Sequence, residues 1–172
     1  MVAVAEIPSL SMSFSRRKKR REASNCPEIW ALLDSVVDPE IPVLSLWDLG
    51  VLQDIVQDDT GITVVITPTY SGCPAMIEMQ GAINEALSKA GYPSVTVKTQ
   101  LSPAWSTEML SEEGRQQLFD YGIAPPSAEK IITCPQCGSK NTQQLSQFGS
   151  TACKALYKCS DCLEPFDYFK CL

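Results

Sequence analysis

The sequence contains no histidine. Every catalytic arrangement built on imidazole is therefore excluded, including the Ser-His-Asp and Cys-His pairings and the Glu-x-x-His di-iron bundle. Any metal must be held by cysteine, aspartate or glutamate. Long apolar runs are also missing: the best, Ile62 to Ile66, falls far short of the roughly 20 residues of a membrane span, so no membrane partner is expected. No Gly-rich strand-to-helix turn is present to cradle a flavin or nicotinamide cofactor. With 8 cysteines in 172 residues, the chain is leaner in sulfur than a small disulfide scaffold, which carries roughly 8–10%. Val2 to Leu10 contains Glu6 and Pro8, and the positive run follows this stretch, so it does not read as a secretory signal. A reducing cytoplasm is the expectation, where paired thiols serve as metal ligands or redox groups.

What charge there is lies unevenly. The formal net charge is −6, yet Arg16, Arg17, Lys18, Lys19, Arg20 and Arg21 supply six of the 14 basic residues. From residue 23 onward, 8 basic side chains face 18 acidic ones, a net of −10. Such a surface repels a phosphate backbone, so no nucleic-acid partner is expected.

Residues 1–24, Ser-rich and then basic without apolar periodicity, read as a disordered basic tail. Over residues 25–124 the pattern predicts a small α+β domain in the order α-β-β-α-β-α. A first helix starts at Pro27, carries Ile29, Trp30, Leu32, Leu33, Val36 and Val37 on its apolar face, and stops at Asp38-Pro39. Val51–Gln57 and Ile62–Thr67 form a hairpin, Pro74–Ala90 a second helix ended by Gly91, and Val95–Leu101 a third strand. A last helix is capped by Ser111 and closed by Gly122. Residues 125–132 read as a linker, and 133–172 as a cysteine-rich β module with strands near 142–147, 154–158 and 166–170.

Within that module, Cys134-Pro-Gln-Cys137 and Cys159-Ser-Asp-Cys162 are two Cys-x-x-Cys pairs separated by 21 residues. Each pair can form a knuckle aiming two sulfurs at one ion, and two facing knuckles make the tetrahedral four-cysteine shell of a structural zinc ribbon. About 40 residues need such a staple to fold. Iron is the competing metal, since four thiolates also hold iron or Fe–S centres. Cys153 and Cys171 read either as small buried residues or as extra ligands. A ribbon with no basic stripe points to protein contact.

Cys73 stands alone ahead of Pro74. If Pro74 opens the helix, Cys73 is its N-cap, where N–H groups and the helix dipole stabilise a thiolate able to ligate iron, zinc or a cluster. A single thiolate cannot hold a cluster, so another chain or a partner would have to contribute; the plainer reading is a cysteine that caps and packs. Asp38 and Glu40 are either paired carboxylates at a metal or, for Asp38 before a proline, a side chain that builds a turn.

Asp38-Pro39-Glu40-Ile41-Pro42-Val43, Asp48-Leu49-Gly50 and Gly72-Cys73-Pro74 resemble the hallmark of the SufT-like metal–sulfur cluster assembly domain. Pro68–Pro74, Pro103-Ala104-Trp105, Tyr121-Gly122-Ile123, Phe148–Lys154 and Glu164–Cys171 resemble the PaaD family of phenylacetyl-CoA epoxidase components, over about residues 27–172. The resemblance implies an accessory protein of the aerobic phenylacetate monooxygenase system, assisting maturation of an iron or Fe–S centre in the oxygenase or reductase subunits and having no catalytic residue of its own. In that reading Cys73 holds iron or a cluster transiently, Asp38 and Glu40 shape its loop, and the ribbon docks the client. A second copy of the chain is a further candidate partner. The alternative is a stoichiometric structural subunit of the oxygenase, with no role in metal delivery.

Overall fold

The structure, a computed structural model, describes residues 13–127, 129 and 131–170. Against the expectation of a tail, Phe14–Glu22 forms a helix, α1, whose Arg17 is completely buried. Its guanidinium donates to the backbone carbonyls of Leu52 (2.8 and 3.1 Å), Trp47 (2.6 Å) and Met109 (2.6 Å) and lies 4.2 Å from the Trp47 ring centroid. Arg21 makes a bidentate pair with Asp34 at 2.7 and 2.6 Å and covers Trp30 and Trp47. The basic run that reads as a solvated tail is thus a strap on the core. Residues 1–12 of the expected tail lie outside the described residues.

Helix α2 spans Pro27–Leu33, with Pro27 in its first turn as expected, but it stops short of Val37. The reason is the loop that follows. Val37 bridges Ser45, and the Asp38 N–H bonds the Leu44 carbonyl at 2.9 Å, so the backbone before Pro39 is drawn out as that proline requires. Short helix α3 (Leu46–Leu49) is capped by the Ser45 hydroxyl. It ends at Gly50, φ +85°, where an added Cβ would lie 2.7 Å from that of Met109, so backbone conformation and space both demand glycine.

Strands β1 (Leu52–Asp58) and β2 (Gly61–Ile66) form the expected hairpin, closed at Asp58 and Gly61. Helix α4 (Met76–Lys89) crosses over and buries Met79, Ile83 and Leu87. Strand β3 (Val95–Thr99) then pairs parallel to β2. Helix α5 (Glu112–Asp120) has the expected Ser111 cap, whose hydroxyl accepts from the Gly114 N–H at 2.8 Å and donates to Asp48 at 2.6 Å.

The second sheet has the order β4-β7-β6-β5: Ile123–Ala124, Pro165–Phe169, Lys154–Cys159 and Thr142–Ser146. Ile123 and Ala124, assigned by their sequence position to the first domain, are its edge strand, parallel to β7. The expected linker starts pinned, because Arg115 donates to the Pro126 carbonyl at 2.7 Å. Nor is the larger core confined to the first module. Cys153 and Phe169 belong to the larger core with Trp30, Leu49 and Ile83, and the Phe169 ring meets Trp105 edge-on at 5.8 Å. A smaller core of Ala124, Ile132, Cys134, Ala155, Cys159, Phe166 and Tyr168 lies within the ribbon. Among the described residues, no helix is long and apolar enough to cross a membrane.

Candidate functional site

The two Cys-x-x-Cys turns do face each other. The sulfurs of Cys134, Cys137, Cys159 and Cys162 all lie within 4.8 Å of one another, with 3.7 Å between Cys134 and Cys162 and 3.6 Å between Cys137 and Cys159. A tetrahedron with metal–sulfur bonds of about 2.3 Å has edges of roughly 3.8 Å, so this donor set fits a tetrahedral ion held by four thiolates. Backbone N–H groups of Cys162 and Asp161 point at the Cys159 sulfur and pull its pKa down to about 7. Asp161 in turn accepts from the Ser139 hydroxyl and, at 2.9 Å, from the Asn141 amide, tying one knuckle to the other.

The residue after each pair has a positive φ: Gly138 at +74° and Leu163 at +67°. Glycine adopts this conformation freely, whereas leucine costs roughly 1–2 kcal/mol there. The Leu163 side chain is exposed and gains little in return. Leu163→Gly should therefore stabilise the metal-loaded ribbon by about 0.5–1 kcal/mol after the entropic cost of glycine, read as a higher urea midpoint. A lower midpoint would mean that the leucine makes contacts worth more than its strain.

Cys153 is not part of this group. It sits in the larger core, with the Thr151 hydroxyl 3.0 Å from its sulfur. Cys171 lies outside the described residues.

The second constellation surrounds Cys73. Helix α4 begins at Met76 with Ala75 as its N-cap, so Cys73 lies ahead of the helix, in a turn closed by its own N–H on the Tyr70 carbonyl at 3.2 Å. The expected thiolate is therefore not favoured. Burial raises the Cys73 pKa, and the carboxylates of Glu40 and Asp38 add to the rise despite the Ala75 N–H at the sulfur. Cys73 is half-buried, in surroundings that favour the thiol over the thiolate.

Asp38 follows the turn reading. Its Oδ1 accepts from the N–H groups of Glu40 (2.8 Å) and Ile41 (2.7 Å), and its side chain is buried. Even so, desolvation holds its pKa above the ordinary 3.8, and burial together with Asp38 holds Glu40 up as well. Tyr70, whose carbonyl accepts from the Cys73 N–H, is pushed up to about 12, first by burial and then by the neighbouring acidic groups Cys73, Glu40 and Cys153. Lys154, the first residue of β6, is buried and partly offsets the rise in pKa of Asp38, Glu40 and Cys153, while its ammonium lies 3.6 Å from Asp167. Lys154 and Cys153 of the ribbon thus act electrostatically on groups in the loops of the other module. Pairwise spacing cannot reveal this, although Cys153-Lys154 closes one of the distinctive sequence strings.

An acid whose native pKa is raised keeps its proton longer in the folded chain. The associated stability is complete below pH 3.8 and is lost as pH rises through the native value. Asp38→Asn keeps an oxygen for the two N–H groups but carries no charge. Its melting temperature should match that of the wild type near pH 4 and exceed it at pH 7–8. The reverse order would show that the ionised carboxylate stabilises the loop.

Comparison with known proteins follows this division. Residues 27–99 match the family described as iron-sulfur cluster assembly protein, and residues 122–170 the PaaD zinc beta ribbon domain. A protein of Escherichia coli (strain K12), named as the D component of a 1,2-phenylacetyl-CoA epoxidase, is 49% identical over 152 residues, covering 84% of this chain and 92% of the relative. An Fe-S protein maturation auxiliary factor of Porphyromonas gingivalis is 33% identical over 93 residues, 53% of this chain and 88% of that protein. A solved DUF59 domain of unknown function from Bacillus anthracis shares the fold, with TM-score 0.50 and 22% identity over 60% of this chain and 95% of its own. With near-half identity along most of both sequences and a matching ribbon, the chain belongs to the PaaD family of phenylacetyl-CoA epoxidase components.

Proposed function

We propose that this chain is an accessory factor of a phenylacetyl-CoA epoxidase, assisting the maturation or insertion of an iron or Fe–S centre in the oxygenase or reductase subunits. The names of its E. coli and P. gingivalis relatives support the reading. The observation that carries it is the charge balance around Cys73. Burial drives Asp38, Glu40, Tyr70 and Cys73 toward their protonated forms, Asp38 adds to the rise at Glu40 and Cys73, Glu40 adds to it at Tyr70 and Cys73, and Lys154 offsets it at the two carboxylates. A site poor in positive charge and holding an accessible thiol suits a soft cation, which replaces the thiol proton on binding. The four-cysteine ribbon holds a structural zinc that supplies folding energy and no chemistry. Without histidine, the chain cannot build the di-iron site of a helical bundle itself.

The test is to purify the oxygenase from cells lacking this chain and from cells carrying Cys73→Ser, then measure iron content and epoxidase activity. Both should fall together in both strains. Full metallation in both would overturn the proposal. A permanent structural subunit behaves differently: the mature complex would lose activity when the chain is removed, whereas an assembly factor leaves it active.

A further inference from the structure

Each sheet ends in two edge strands, and the chain protects all but one of these edges. A bare row of N–H and C=O groups pairs with any extended strand, so native edges are shortened, bulged or covered. Strand β1 has a bulge between Leu52 and Asp54, and its outward carbonyls are taken: Leu52 by Arg17, Gln53 by Arg20 and Ile55 by the Cys26 thiol. Strand β4 is two residues long, and β5 is interrupted by a bulge between Gln144 and Ser146. Strand β3 has none of these devices. It pairs with β2 through five residues in unbroken register, and among the described residues no backbone group bonds its other side.

The two bonds that frame β3 fix which groups face outward. The Ile62 N–H donates to the Ser94 carbonyl at 2.9 Å, and the Gln100 N–H donates to that of Ile66 at 2.8 Å. Even-numbered residues from 94 to 100 therefore turn their backbone toward β2, while Val95, Val97 and Thr99 turn theirs to solvent. Two exposed apolar side chains stand at one end of this edge. Leu101, 62% exposed, follows the strand. Ile77, 80% exposed, lies one helical turn before Gln80, whose amide donates to the Thr99 hydroxyl at 3.0 Å.

We propose that the β3 edge is a self-association surface, joining two copies of the chain through an antiparallel β3–β3 pair into one six-stranded sheet. Parity and charge set the register. With Val97 opposite its own copy on the two-fold axis, Val95 of one strand meets Thr99 of the other, and all the outward groups of both strands are paired. Lys98 then lies opposite Thr96. Moving the axis to residue 98 would set Lys98 against Lys98, and moving it to residue 96 would set Thr99 against Pro93, which has no N–H to give. The favoured register also places Leu101 of one copy opposite Pro93 of the other, with Ile77 at the same end. Because β2 and β3 run parallel, the two Cys73 loops, which follow β2, lie at opposite ends of the joined sheet. The second copy thus adds no ligand to Cys73, and the inference stands apart from the assembly reading.

The experiment uses the full zinc-loaded chain under a reducing agent, so that no disulfide joins copies. Sedimentation equilibrium should show a monomer–dimer equilibrium. Thr96→Lys sets like charges opposite each other at two points of the pair and should weaken the dimer by about three-fold or more, whereas Thr96→Glu should strengthen it about as much. Thr96 and Lys98 are exposed, so dilute variants should melt at the wild-type temperature. Combining Thr96→Lys with Lys98→Glu should restore the dimer. In the wild type, amide exchange at Val95, Val97 and Thr99 should slow as concentration rises, while Thr96 and Lys98 stay protected throughout. A chain that is monomeric at every concentration overturns the proposal. So does a dimer whose strength ignores residue 96, or one whose Val97 amide exchanges as fast as in the monomer. Protection of these amides only on addition of an oxygenase or reductase subunit also overturns it, since the edge then serves another protein. Should a variant fail to fold, the exchange pattern of the wild type decides.

Discussion

Stripping the metal from the four-cysteine group should unfold the C-terminal module and leave the helix-covered sheet folded but loosened. The ribbon's own core consists of Ala124, Ile132, Cys134, Ala155, Cys159, Phe166 and Tyr168, two of which are ligands. A core of that size does not hold about 40 residues together unaided. Binding of a structural zinc supplies roughly 10–16 kcal/mol, and loss of one thiolate removes much of it. A strong chelator, or Cys159→Ser in place of a ligand that is itself buried, should therefore abolish amide-exchange protection across β5, β6 and β7. The effect should pass into the other module, because Cys153 and Phe169 leave the larger core and Trp105 loses its ring partner. A shift in tryptophan fluorescence and faster labelling of Cys73 by a thiol reagent are the expected accompaniments. Retained protection in the chelated chain would mean that packing, and not the metal, organises the ribbon.

Arg17→Ala is expected to be the most damaging single substitution outside the cysteines. One guanidinium serves the carbonyls of Leu52, Trp47 and Met109, which come from β1, α3 and the turn before α5. Truncation leaves these acceptors buried without a donor, at roughly 1–3 kcal/mol for each one that water cannot reach. It also removes the cation stacked on Trp47. Burial lowers the Arg17 pKa to about 9, so the group is still charged at neutral pH, helped by Asp48. A loss of about 3–5 kcal/mol overall, or roughly 10 °C in melting temperature for a chain of this size, is the expected reading by urea and thermal unfolding. Arg17→Lys keeps the charge but not the planar fork, and should recover only part of the loss. A near-neutral Arg17→Ala would show that α1 lies on the surface without supporting the core.

Much of the chemistry is legible in the sequence because it is local. Two sulfurs on one knuckle need only a Cys-x-x-Cys turn, and Ser111 caps α5 through a bond three residues long. The Asp58–Gly61 turn and the side-chain turn at Asp38 are equally short in range. The absence of histidine bounds the function before any fold is known. What the sequence leaves open concerns groups brought together from far apart, and here the deciding partners are backbone atoms and fields, which carry no sequence pattern. Arg17 reads as one charge among six until three distant carbonyls converge on it. Cys153 reads either as a small buried residue or as a spare ligand of the ribbon, and only packing decides, placing it buried in the larger core. The thiolate expected at Cys73 fails for a related reason: helix α4 starts at Met76, and the loop's burial among carboxylates outweighs the N–H groups left at the sulfur. Residue types and short spacings determined which metal chemistry this chain can carry out. Tertiary packing decided which thiols and charges share a site, because desolvation and Coulomb forces act through space and not along the chain.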